Sequence, residues 1–241
     1  MNGAPLTPNH GFPLRVVIPG VAGARWTKWL DRITIQTEES PNYYMKNDYK
    51  ILPPEVQTAK QAAENWHKVA PLQRMPVNSA ICRPSSGDTI HADRLPNGEL
   101  EIAGYALPRG DEGPVVLVEI SIDQGKTWEA ATIVSPSLDE LAEPGAEEKY
   151  RWSWSLWKHS LSADKTAKID RRTKIWSRAT DRAGNMQKLE DVKWNYRGVG
   201  YNGFGEVKGL NIIHRRGDQS TTTTTATATA RRRNVPFGCK I

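Results

Sequence analysis

The chain is poor in cysteine, with only Cys82 and Cys239 among its 241 residues. Such a pair builds neither a disulfide framework nor a cysteine-based metal quartet. Long apolar runs are also missing. No stretch approaches the ~20 residues of a membrane-spanning helix. The N-terminus shows neither the basic nor the apolar region of a secretory leader. The body is therefore expected to be soluble, without a membrane partner. His10, His67, His91, His159 and His214 are scattered without metal-ligand spacing. No nucleophile-elbow motif accompanies the serines, so no hydrolase triad is assembled. Asp123-Gln124-Gly125 lacks the further oxygen ligands of a calcium loop.

Charge of one sign is abundant in one place only. The formal net charge is +6, but residues 214–241 carry Arg215, Arg216, Arg231, Arg232, Arg233 and Lys240 against Asp218 alone. The tail thus holds +5, leaving the body close to neutral. Nucleic-acid binding asks for a patterned basic face, which the body lacks, so no nucleic-acid partner is expected there. Any such binding would reside in the tail and disappear with it. Between its basic groups the tail runs through Thr221–Thr225 and alternating Ala and Thr to Ala230. That composition buries too little apolar surface to offset chain entropy, and disorder is expected.

The remainder is rich in structure formers. Hydrophobic residues make up 38%, with nine tryptophans, and the sixteen prolines and nineteen glycines favour strands and turns. From Pro76 to Ile213, short strands alternate with turn signals. Asn78–Arg83, Glu99–Ala106, Val115–Ile122, Trp128–Val134, Arg151–Trp157 and Lys174–Thr180 read as strands, with a hairpin turn at Asp123–Lys126. This spacing predicts an immunoglobulin-like antiparallel β-sandwich. Cys82 alone cannot bridge two sheets, so an aromatic core must hold them. Trp128, Trp152, Trp154, Trp157, Trp176 and Trp194 are assigned to filling that core rather than to a binding platform. Residues 36–75 read as a linker, with a short helix from Glu55 to Lys68.

Residues 1–35 stand apart. His10, Arg15, Arg25 and Lys28 lie among four glycines and four prolines in the first thirty residues. Short strands are expected at Leu14–Ile18 and Trp29–Ile35. Glycine allows close approach of main-chain N–H groups, and arginine offers a planar fork for phosphate. Residue types alone leave two readings open: backbone folded around an anionic ligand, or a Gly/Pro-shaped loop with solvated charges.

The run His10-Gly11-Phe12-Pro13-x-Arg15, Pro19-Gly20-x-x-Gly23-Ala24-Arg25-x-x-Lys28-Trp29-Leu30 resembles the closing segment of the molybdopterin-binding domain of the sulfite oxidase family. That family includes the molybdenum domain of assimilatory nitrate reductases. Gly104-Tyr105-Ala106, Glu119-Ile120-Ser121-x-Asp123-x-Gly125-x-x-Trp128, Asp181-x-Ala183-Gly184-Asn185 and Trp194-Asn195-x-Arg197-Gly198-Val199 are similar to its dimerisation domain. The resemblance implies a division into 1–35, the end of an α+β molybdopterin-binding domain; 36–75, an inter-domain linker; 76–213, an immunoglobulin-like dimerisation domain; and 214–241, a disordered basic tail without counterpart.

It further implies a molybdenum–molybdopterin cofactor, with His10, Arg15, Trp26, Thr27 and Lys28 as cofactor-binding positions. Arg15 and Lys28 suit a phosphate, a histidine N–H suits the pterin edge, and Trp26 and Thr27 would act mainly through backbone. The implied reaction is oxygen-atom transfer to or from a small oxyanion such as sulfite, with a haem or cytochrome electron partner and a homodimer through 76–213.

Many sulfite-oxidising members of that family carry a Gly-Gly-Gly-Arg turn after Gly-Tyr-Ala, with its arginine directed at substrate. Here the segment reads Leu107-Pro108-Arg109-Gly110-Asp111-Glu112, which displaces the candidate Arg109 and adds two acids. The molybdenum-ligating cysteine of the family lies upstream of the matching segment, so neither Cys82 nor Cys239 corresponds to it. The chain is therefore expected not to be catalytic alone. A non-enzymatic β-sandwich interaction module is the alternative. The compartment stays open, with mitochondrial or cytoplasmic placement expected.

Overall fold

A computed structural model describes residues 3–213. The basic tail, Cys239 and the disorder expected for residues 214–241 lie outside the described residues. Residues 3–75 contain little regular structure: single 3-10 turns at Pro8–His10, Gly23–Arg25 and Trp66–Lys68, with short helices α1 (Tyr43–Lys46) and α2 (Ala59–Ala63). The strand expected at Leu14–Ile18 is reduced to an isolated bridge between Arg15 and Lys28. The strand expected at Trp29–Ile35 is not formed either. Its alternation leaves Ile33 75% and Ile35 97% exposed, because no described strand lies beside it to take up its backbone hydrogen bonds.

The expected helix from Glu55 is shorter than its composition suggests. It starts where Thr58 and Gln61 form a capping box, and it ends at Ala63. Leu52, Val56 and Ala62 make a small core completed by Trp66, Val69 and Tyr196. Arg197 pairs with the buried carboxylate of Asp48 at 3.0 Å. The middle of the chain is thus docked on the C-terminal half.

The sandwich follows. Its strands are β1 (Asn78–Arg83), β2 (Thr89–His91), β3 (Leu100–Leu107), β4 (Val115–Ser121), β5 (Glu129–Ala130), β6 (Thr132–Ser135), β7 (Ser155–Leu161), β8 (Lys174–Asp181), β9 (Gly205–Lys208) and β10 (Asn211–Ile213). They form two four-stranded antiparallel sheets, β1-β3-β7-β6 and β5-β4-β8-β9, and a parallel pair of β2 with β10. Helices α3 (Leu138–Ala142), α4 (Ala146–Tyr150) and α5 (Ala163–Thr166) sit on the connections around β7. The expected mainly-β sandwich is present.

Period-two alternation explains the strands. In β3, Leu100, Ile102, Gly104 and Ala106 face inward and alternate with more exposed residues. Their partners between the sheets include Val118, Ile120, Ile133, Trp157, Leu161, Ile175 and Val207. Between β4 and β5 the chain reverses through Gln124 at φ 62° and Gly125 at φ 80°, both left-handed, within a seven-residue connection from Ile122 to Trp128. Hydrogen bonds from the Thr127 backbone and hydroxyl, and from Ser121, hold the Asp123 carboxyl at about 2.

Two sequence expectations change inside the sandwich. The run Trp128–Val134 is divided: β5 pairs with β4, whereas β6 pairs with β7 in the other sheet. The Arg151–Trp157 strand begins only at Ser155, which moves Trp152 and Trp154 off it. Core filling holds for Trp157 at 1% exposure, but not for Trp152 at 38%, Trp154 at 50% or Trp194 at 59%. Trp176 is buried at 8% exposure, yet beside Phe204 and Glu206 on the opposite face of β8 from Ile175 and Ala179, which line the core. Trp154 stacks instead on Tyr105, with centroids 4.8 Å apart.

Glu206 on β9 accepts hydrogen bonds from the Trp176 indole and Lys174, both at 3.0 Å. Burial pushes its carboxyl up, but these bonds and Lys208 outweigh burial and hold it at about 2. A carboxyl depressed by folding stabilises the fold above its ordinary value of 4.5 and loses that contribution as pH falls toward 2. Glu206→Gln is expected to lower stability at neutral pH and to flatten the acid-side decline. Urea denaturation at stepped pH measures this, and a decline as steep as the wild type's would refute it.

Candidate functional site

Residues 7–30 fold into a compact clamp. The 3-10 turn Pro8–His10 ends at Gly11 with φ 106°, a left-handed conformation suited to glycine. A Cβ there would lie 3.1 Å from that of Lys28 and 3.2 Å from that of Arg15, so the glycine lets the turn close over both cations. Arg15 and Lys28 face each other across their bridge, which Val16 and Leu30 extend by donating to the carbonyls of Thr27 and Leu14.

Three successive carbonyls of the turn each receive a side chain. The Trp29 indole donates to Pro8 at 2.9 Å, Lys28 Nζ to Asn9 at 2.9 Å, and Arg15 Nη1 to His10 at 3.4 Å. The structure therefore brings together His10, Arg15 and Lys28. His10 Nδ1 is engaged by the Thr7 hydroxyl at 2.6 Å, which leaves Nε2 for another partner. Arg15 stands 5.9 Å from the centre of the Trp26 ring, and its Nε is buried with no hydrogen-bond partner among the described residues. A buried, unpaired guanidinium nitrogen is costly unless an acceptor is supplied. Thr27 is exposed and enters the clamp through its backbone, while the Trp26 indole donates to Val21 at 3.1 Å.

Arg25, named with these cations on residue type, has a different role. Its guanidinium donates to the carbonyls of Leu72 at 3.0 Å, Tyr44 at 3.0 Å and Tyr49 at 3.2 Å, and so binds the clamp to residues 36–75. The fold adds Trp29 to the clamp. Its signal is visible only in the fold: a bulky residue at φ 52° whose indole caps the turn.

Arg109 belongs to a separate cluster. Its backbone N–H donates to buried Asp181 at 3.1 Å, and Nη1 reaches Glu112 at 3.4 Å and Asn185 at 3.3 Å. Glu112 also binds Arg74 at 2.9 Å. Among the described residues, no contact joins Arg109 to His10, Arg15 or Lys28. Its loop nevertheless abuts the N-terminal segment. Gly110 donates to Met75, and Met75 donates to Gly20. A Cβ on Gly20 would come within 2.5 Å of the Gly110 oxygen and 3.0 Å of Trp152. Among the described residues, no group of histidine, cysteine and carboxylates could hold a metal ion by itself. Cys82 is exposed on β1.

Comparison with known proteins shows the family of the chain. The family model of the Mo-co oxidoreductase dimerisation domain matches residues 69–211, and that of the oxidoreductase molybdopterin binding domain matches residues 1–44. Sulfite oxidase of Arabidopsis thaliana is 39% identical over 202 residues, covering 83% of this chain and 47% of the relative. Human mitochondrial sulfite oxidase is 39% identical over 207 residues, covering 83% and 33%. The NADH nitrate reductase of Solanum lycopersicum is 35% identical over 219 residues, covering 88% and 22%. The chain thus spans less than half the length of these curated relatives. The sulfane dehydrogenase SoxCD of Paracoccus pantotrophus shares the fold with a TM-score of 0.59 at 24% identity, over 86% of this chain and 49% of that one. By the match over residues 69–211, this chain belongs to the sulfite oxidase family of molybdenum-cofactor oxidoreductases.

Proposed function

We propose that this chain supplies one wall of a molybdopterin site, together with the dimerisation half, of a sulfite-oxidase-like oxidoreductase. The observation that carries this reading is the convergence of His10, Arg15 and Lys28 around Gly11, with Arg15 Nε buried and lacking an acceptor. A terminal phosphate would provide that acceptor, and the donor set fits it. Arg15 and Lys28 would hold the phosphate by charge-assisted hydrogen bonds, and His10 Nε2 would meet the pterin edge. Trp26 and Thr27 would line the site through their backbone. When bound, the molybdenum centre supplies the two-electron change that accompanies oxygen-atom transfer to or from an oxyanion such as sulfite.

Arg109 is the candidate cation for that oxyanion. Its side chain is 48% exposed, and an incoming anion would compete with Glu112 for it. We assign the metal-ligating thiolate to neither Cys82 nor Cys239, and we propose that this chain does not turn over alone. A haem or cytochrome would be the electron partner, and residues 76–213 would join two copies.

Molybdopterin titrated anaerobically against the chain should quench the fluorescence of Trp26 and Trp29. Arg15→Ala and Lys28→Ala are each expected to weaken this binding about tenfold, or about 1.4 kcal/mol. Wild-type affinity in both variants would sink the assignment.

A further inference from the structure

The molybdopterin reading leaves one motif unused. Arg231-Arg232-Arg233-Asn234-Val235-Pro236-Phe237 sets three adjacent cations just ahead of an apolar triplet. The motif lies outside the described residues, but the strand that leads to it is placed. β10 runs parallel to β2, with Ile212 opposite Ile90 and Ile213 opposite His91. The chain therefore leaves β10 in the direction in which β2 continues, from His91 toward Leu95. The Asn211 amide also donates to the Asp88 carbonyl at 2.9 Å, which ties the approach to β2 onto the same strand.

Along that path lies a groove of about 340 Å³, formed by β2 and its continuation together with the end of β1 and the start of β3. Ile90, Leu95 and Leu100 give it an apolar lining, and its charges are Asp88, Glu99 and Glu101 against Arg83 alone. Asp88 accepts from the Ser85 amide at 2.7 Å and Glu99 from the Ser160 hydroxyl at 2.5 Å, and among the described residues no cation pairs with either. Glu101 meets Arg83 at 3.4 Å, but both side chains are mostly in solvent, so the pair yields to a competing cation. Uncompensated carboxylates beside an apolar trough suit a peptide that carries arginines next to apolar residues. The complement is in the same chain, where residues 214–241 hold +5.

We infer that residues 231–237 dock in this groove of their own chain, the arginines on Asp88, Glu99 and Glu101 and the Val-Pro-Phe triplet against Ile90, Leu95 and Leu100. The reach is sufficient. Ile213 sits one strand spacing, about 4.8 Å, from the strand that lines the groove. The seventeen residues 214–230 can span up to about 58 Å when extended. A tether of this length holds the segment at a local concentration of about a millimolar, so a contact too weak to form between separate molecules is populated within one.

Paramagnetic broadening in the full chain tests this. Cys239 lies two residues beyond Phe237 and takes a nitroxide label selectively once exposed Cys82 is removed by Cys82→Ser. Amide signals of Ile90, Leu95, Glu99 and Glu101 are expected to lose most of their intensity and to regain it when the label is reduced. Arg231→Glu, Arg232→Glu and Arg233→Glu combined should return most of that intensity in the oxidised state. Adding Glu99→Lys and Glu101→Lys to the triple variant should bring the loss back, because the charges then match again. Full intensity in the labelled chain, or broadening that survives the triple reversal, would overturn the proposal. Equal broadening when nitroxide and isotope are carried by different chains would assign the groove to a second copy and overturn docking within one chain. Should the groove variant fail to fold, salt decides. About 1 M salt, with a Debye length of about 3 Å, should restore the signals of the labelled chain, and broadening indifferent to it refutes the charge pairing.

Discussion

Replacing Trp157 by alanine is expected to cost the sandwich about 4 kcal/mol, the range for deleting a large core aromatic. Trp157 is 1% exposed on β7, opposite Gly104 on β3 and Ile133 on β6, so its indole spans the middle of one sheet's inner face. Set against a typical domain stability of about 5–15 kcal/mol, that loss removes much of the margin. Urea denaturation should show a lower midpoint with an unchanged slope. Trp157→Phe is expected to lose far less. The indole Nε1 is buried without an acceptor among the described residues, so phenylalanine removes an unsatisfied donor along with the lost ring volume. Equal losses in the two variants would show that the indole N–H is satisfied in solution.

Substituting Gly104 by alanine is expected to destabilise the same sheet by about 3 kcal/mol, at the upper end for overpacking. A Cβ there would run into the Ala80 carbonyl oxygen of β1 and come within 2.6 Å of the Trp157 ring. The ring can shift, but the neighbouring strand's backbone cannot do so without breaking its ladder. Combining Gly104→Ala with Trp157→Phe is therefore expected to leave most of the glycine penalty in place, as measured by a double-mutant cycle. Full relief in the double variant would assign the penalty to the ring instead.

This pairing of a glycine with a tryptophan shows what was legible beforehand and what was not. The alternation of Leu100–Leu107 and the left-handed pair at Gln124-Gly125 express local rules, so β3 and the β4–β5 hairpin could be read directly. The run Trp29–Ile35 obeys the same alternation yet forms no strand, because a strand needs a partner and local pattern does not supply one. Trp152, Trp154 and Trp157 share a spacing that suggested one strand. Where β7 begins separates a buried ring from two half-exposed ones.

The candidate site divides in the same way. By itself the sequence determined the family, through the spacing from His10 to Lys28 and the Gly-Tyr-Ala and Ala-Gly-Asn motifs, and with it the residue types suited to a phosphate. Only the tertiary structure decided how each cation is used. Arg25 binds three carbonyls of residues 44–72, Arg109 is shared with Glu112 and Asn185, and Arg15 keeps a buried nitrogen unpaired. The physical reason is that an arginine's chemistry is local, whereas its partners here lie up to 76 residues away. Charge can be counted along a chain, but whether it is free to meet a ligand depends on which distant groups folding brings beside it.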